Sequence, residues 1–134
     1  MYGAIIGAIR AYQSDKKTGK YSEYNLAYLG HYLGDLSNPL HNTEYDEFNR
    51  KRHKDNDAVV ENDINSYLQY IPVYEIEINS ENDIVDKIVQ VANNAIKLGK
   101  KMRSDDRNMT QQEAYNQISQ SASLFKGILK YLKK

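Results

Sequence analysis

The chain has 134 residues, eighteen basic against eighteen acidic, with three histidines and no cysteine. Its length predicts one domain, able to bury roughly two-thirds of the surface its unfolded chain exposes, and its balanced charge excludes a global field that would attract nucleic acid or an anionic membrane. Without cysteine there are no disulfides and no thiolate zinc sites, so any metal must be held by imidazole and carboxylate.

The first apolar run, Ala4–Ile9, is also the longest. It falls far short of the roughly 20 residues of a spanning helix, and no basic stretch precedes it as in a signal peptide. The expectation is therefore no transmembrane segment and no export signal, with location left open. Ala4, Ile5, Ala8, Ile9 and Tyr12 recur at helical spacing, which predicts a helix over residues 2–13 with Gly3 and Gly7 open to close approach by a neighbour. Ser14–Lys20 reads as a loop.

A second helix is expected over residues 22–36, its stripe being Leu26, Leu29, Leu33 and Leu36. His31 and Asp35 lie off that stripe, on a side shared with Tyr24 and Tyr28. Gly30 and Gly34 stand just before them, and glycine within a helix costs about 1 kcal/mol relative to alanine, which a close packing contact would explain. Pro39 ends the helix and puts His41 on a loop. Thr43–Asp46 has capping-box spacing and predicts the start of a third helix carrying Phe48, His53 and Asp57 and continuing through Val60, Ile64, Tyr67 and Leu68 to Ile71, with an irregularity near Asp55–Asp57. After Pro72, Val73–Asn79 alternates as an extended connection.

Ser80 and Asp83, then Thr110 and Glu113, are spaced as capping boxes for two closing helices. The first carries Ile84, Ile88, Val91, Ala95, Leu98 and Met102; the second carries Ala114, Ile118, Ser121, Phe125, Ile128 and Leu132. The fold predicted is all-α, a compact bundle of about five helices over residues 1–134.

All three histidines fall between His31 and Asp57, and two have an aspartate four positions on. That spacing stacks the side chains on one helix face. His41, His53 and Asp57 make a two-histidine, one-carboxylate set, the layout of catalytic zinc with one position left for water. His31 and Asp35 make half of a second site, Asp35 being placed to bridge the two, with Asp15, Glu23, Glu44, Asp46 or Asp55 as further carboxylates. The competing reading takes each His-Asp pair as a surface hydrogen bond. The run Arg50–Lys54 reads as a solvated helix face more than an anion site, because Glu44, Asp46 and Glu47 offset it. The twelve tyrosines supply aromatic bulk at half-wet positions, a dedicated stacking surface being the less favoured reading. There is no glycine-rich phosphate loop and no nucleophilic triad.

The segment Leu29-Gly30-His31-Tyr32-Leu33-Gly34-Asp35-Leu36-Ser37-Asn38-Pro39-Leu40-His41 resembles the signature of the zinc-dependent phospholipase C family and its relatives, the zinc-dependent single-strand nucleases. In those proteins a His and an Asp four on, a Pro-x-His corner, and a further His with an acid four on complete a zinc cluster in an all-helical fold. The resemblance spans Leu29 to Asp57, and the short interval between His41 and His53 is similar to the phospholipase branch. It implies His31 on one zinc, Asp35 bridging, and His41, His53 and Asp57 on another. The substrate implied is a phosphodiester, in a phospholipid headgroup or a nucleic acid backbone. The family's amino-terminal tryptophan, its further histidines and another aspartate have no counterpart ahead of His31. The chain therefore looks like the carboxyl-terminal portion of a member, a family usually secreted. Its first zinc site would be complete and its second partial, with a second chain as one source of the missing ligands. The alternative is a non-catalytic helical interaction module.

Overall fold

The computed structural model describes residues 2–61 and 64–134, and within them the side chains other than those of 59, 60, 61, 64 and 67. The helices are α1 (Tyr2–Lys17), α2 (Tyr24–Ser37), α3 (Glu47–Glu61), the single turn α4 (Ile64–Tyr67), α5 (Glu81–Ser104) and α6 (Gln111–Leu132), with 3-10 turns at Pro39–His41 and Leu68–Tyr70. Among the described residues there is no strand. The all-helical expectation holds, with five helices longer than one turn.

Amphipathic helices are stabilised mainly by burying one apolar face. Here α2 supplies the middle of that core: Leu29, Leu33 and Leu36 are fully buried against Ile5 and Ile9 of α1, Ile84 and Ile88 of α5, and Leu124 and Ile128 of α6. A second, smaller cluster gathers Leu40, Met102, Met109 and Ala114, with Phe48 and Leu98 packed on it. It lies under the end of the bundle where α2 stops and α3 begins.

Both predicted capping boxes form. Ser80 accepts from the Asp83 N–H and Asp83 accepts back, and Thr110 and Glu113 do the same for α6. The third box does not. α3 starts later, with Asp46 at its N-cap accepting from the Asn49 N–H at 3.0 Å. Thr43 is instead turned toward α5, where a Cβ built on Gly99 would lie 2.5 Å from its methyl and 3.1 Å from the Pro39 carbonyl oxygen. At the far end the described part of α3 reaches Glu61, and helix is present again at Ile64–Tyr67, followed by the 3-10 turn Leu68–Tyr70; the expected continuation to Ile71 crosses residues 62–63, which lie outside the described residues, as do the side chains of Val60, Ile64 and Tyr67. The irregularity expected near Asp55–Asp57 is absent, because Asn56 turns inward and bonds the Arg52 carbonyl at 2.7 Å, leaving the helix continuous.

α1 extends one turn beyond the sequence expectation, to Lys17, and closes with the Thr18 hydroxyl donating to the Ser14 carbonyl at 3.0 Å. Gly3 and Gly7 face open space, and so does Gly34, while Gly30 meets the Phe125 ring at 3.7 Å. The glycines under close approach are Gly99 and Gly127, the latter letting Ile76 and Ile78 of the extended segment lie on α6. Among the described residues no helix is long and apolar enough to cross a membrane.

Candidate metal centre

The five residues singled out by the sequence line one cavity of about 550 Å³, together with Gly34, Pro39, Met109, Ala114, Gln117 and Ser121. Each arrives from a different local device. His31 and Asp35 project from the side of α2 away from its leucines. His41 is held by the 3-10 turn that Pro39 opens, and three amides tie that turn down. Asn38 accepts from the Leu40 N–H at 2.9 Å, Asn42 donates to the Leu36 and Asn38 carbonyls at 2.8 Å each, and Asn49 donates to the Leu40 carbonyl at 2.7 Å. His53 and Asp57 stand one turn apart on α3.

Along the cavity these side chains form an alternating string. His31 Nε2 lies 3.3 Å from one oxygen of Asp35, and the other oxygen lies 3.7 Å from His41 Nδ1. The His41 and His53 rings sit with centroids 4.9 Å apart, and His53 Nε2 is 3.7 Å from Asp57 Oδ2. Asp35 thus turns one oxygen to each of two imidazoles, the posture a bridging carboxylate needs. His41 and His53 are about one-third exposed, whereas His31 is 69% exposed at the rim. Among the described residues no three His, Asp or Glu side chains converge closely enough to hold one ion. The expected set of His41, His53 and Asp57 is gathered on one cavity without being closed about a single point. Of the additional carboxylates, Asp46 is engaged by Arg103, whose guanidinium holds its carboxyl below the usual range, and Asp15 accepts from Tyr24 and Asn25 at 3.0 Å each.

α3 is positioned by polar contacts that the sequence pattern did not flag. Asn49 and Asn56 are almost wholly buried, at 0% and 1% exposure. Asn56 accepts from the Met109 N–H at 2.8 Å. Arg52, read as part of a solvated face, instead donates to Asn108 at 3.0 Å and to the Asp106 carbonyl and carboxylate at 2.9 and 2.8 Å. Asp106 has φ 48°, a left-handed conformation that aspartate tolerates better than most residues. Arg52 and Arg103 lie over the Phe48 ring at 5.0 and 4.9 Å. The signal for this network was present as asparagines at one face of an otherwise charged helix, but a hydropathy pattern scores asparagine as exposed.

One tyrosine just ahead of α2 and three along it form an aromatic series that ends beside His31. Tyr21, Tyr24, Tyr28 and Tyr32 follow one another with ring centroids 6.2, 6.3 and 6.4 Å apart, and Tyr32 meets His31 at 5.9 Å. Tyr21 and Tyr28 are 72% and 56% exposed. No family model, no curated protein and no solved structure matches this chain.

Proposed function

We propose that the chain is a zinc-dependent phosphodiester hydrolase domain of the phospholipase C and single-strand nuclease type. The observation that carries the reading is the single cavity lined by His31, Asp35, His41, His53 and Asp57. Its donor set is all imidazole and carboxylate, which suits zinc in hydrolytic use. Zinc, when bound, supplies an electrophile for phosphoryl oxygens and brings the acidity of water close to neutral pH.

The chain's own residues do the rest. His41, His53 and Asp57 would hold one ion, His31 with Asp35 would begin a second site, and Asp35 would connect them. Small side-chain rotations must close the gap that separates the string of pairs from a common ligand point. Met109, Ala114 and Ile118 give the cavity one apolar wall. Of the two phosphodiester classes, the tyrosine series leading to His31 supports single-stranded nucleic acid, because successive bases stack on aromatic rings without regard to sequence.

Zinc content of the purified chain, with hydrolysis of a generic phosphodiester, a single-stranded oligonucleotide and a short-chain phospholipid before and after chelation, tests the proposal. One zinc per chain with weak turnover is expected, with the metal lost in His41→Ala and Asp57→Ala. Zinc-free protein, or unchanged metal content in both variants, overturns it. The rival reading, a non-catalytic helical module, is favoured by the lack of a closed three-ligand set among the described residues. It predicts one melting temperature with and without zinc, whereas a ligand bound only by the folded state raises it.

A further inference from the structure

We infer that Asn49 is a positioning residue: its amide fixes neutral His53 as the Nδ1–H tautomer and leaves Nε2 with the free lone pair, facing Asp57 and the cavity. The orientation of the Asn49 amide follows from its other partners. Nδ2 lies 2.7 Å from the Leu40 carbonyl oxygen and 3.2 Å from the Glu44 carbonyl oxygen. Both are acceptors, so the group facing them must be the NH2. Turning the amide over would set its oxygen against two carbonyls in a site that is 0% exposed, leaving buried polar groups unpaired.

The oxygen that remains, Oδ1, lies 3.2 Å from His53 Nδ1. It can only accept, so Nδ1 must carry the proton. The competing acceptor, Asp57 Oδ2, stands 3.7 Å from Nε2, beyond hydrogen-bond distance. Neutral His53 therefore turns a lone pair toward a carboxylate, two acceptors facing each other, and a cation between them satisfies both. His31 is the contrast. Its Nε2 lies 3.3 Å from an Asp35 oxygen on a ring that is 69% exposed, with no buried amide to fix its tautomer.

Asn49 also joins two ligand-bearing segments. Its NH2 bridges carbonyls on either side of His41, in the same amide that orients His53. Outer partners of this kind fix the tautomer of a metal-binding histidine, and their loss typically costs about 10–100-fold in metal affinity. That consequence rests on the function proposed above; the tautomer does not.

The test uses the full chain, 15N-labelled and stripped of metal by chelator, at about pH 8, above the ordinary imidazole pKa of about 6.5. Long-range 1H–15N spectra should show an imine-type Nε2 and an amine-type Nδ1 for His53. Asn49→Leu should release His53 to a tautomer mixture. Zinc affinity should fall about 10–100-fold in Asn49→Leu, and by clearly less when Asn49→Leu is added to His53→Ala, where only the His41 turn is left to disturb. An Nε2–H form of His53 in the unaltered chain overturns the inference even if no variant folds. Equal losses of zinc affinity from Asn49→Leu with and without His53 reduce Asn49 to a structural residue and overturn it as well. Should the unaltered chain take up no zinc, the proposed function falls while the metal-free spectrum still decides the tautomer.

Discussion

α2 and α3 each carry a His-x-x-x-Asp pair to the same cavity, yet they are held in the fold by opposite chemistry. α2 is fixed by Leu29, Leu33 and Leu36, none more than 1% exposed, in the centre of the apolar core. α3 is fixed by two buried asparagines and two arginines laid over Phe48. Hydrophobic burial contributes roughly in proportion to area, whereas a hydrogen bond exchanged with water contributes about 1 kcal/mol net and costs more when one partner is left alone. The half of the site on α2 is therefore built into the apolar core, and the half on α3 rests on a small set of polar contacts.

The sharpest way to break this contrast is to weaken each helix in its own currency. Leu33→Ala should cost about 2–5 kcal/mol and lower the melting temperature of the whole chain, both halves of the site going together in thermal denaturation. Asn56→Ala leaves the Met109 N–H without its acceptor and should cost about 1–3 kcal/mol. Its effect should be concentrated in hydrogen exchange of α3 and residues 106–110, with α1 and α2 protected as before; uniform loss of protection would erase the distinction.

The platform on which α3 docks has its own pH dependence. Glu113 accepts from Arg107 at 2.6 and 3.1 Å and from the Thr110 N–H at 2.9 Å, and chiefly the guanidinium brings its carboxyl from 4.5 down to about 2. Because the folded value lies below the unfolded one, this contribution is complete above about 4.5 and is lost as pH falls toward about 2. Glu113→Gln should remove about 1–2 kcal/mol at neutral pH and flatten stability across that acid window. An unchanged acid limb in urea titrations would count against it. The smallest effect is expected at Gly34, where nothing lies within 4 Å of an added Cβ. Gly34→Ala should stabilise α2 by up to about 1 kcal/mol through helix propensity, and a fall in melting temperature would show that the glycine is needed for something other than room.

Much of the helical framework was legible because leucine and isoleucine at three-and-four spacing have few other places to go, and because Ser80 and Thr110 stand before well-formed capping boxes. The Pro39 break and the pairing of His31 with Asp35 and of His53 with Asp57 were legible too, since proline and the four-residue spacing act locally. The start of α3 was not. Thr43 and Asp46 both have capping side chains, and it is Asp46 that caps, while the Thr43 methyl lies against Gly99, more than fifty positions away on α5. Nor were the roles of Asn49, Asn56 and Arg52, which depend on carbonyls and amides brought close only by the folded chain. Gly3, Gly7 and Gly34, read as points of close approach, turned out open because helix periodicity gives the face and not its neighbour.

The paired amides of α3 have one more consequence. Asn49 and Asn56 are two turns apart on the buried side, each matched to carbonyl or N–H groups at fixed heights on the loops it meets. A leucine seam tolerates sliding by a turn, since one methyl group replaces another; an amide ladder does not, because every displaced member would be stranded without a mate. The helix that delivers His53 and Asp57 is thus locked in longitudinal register by two amides rather than by its apolar residues.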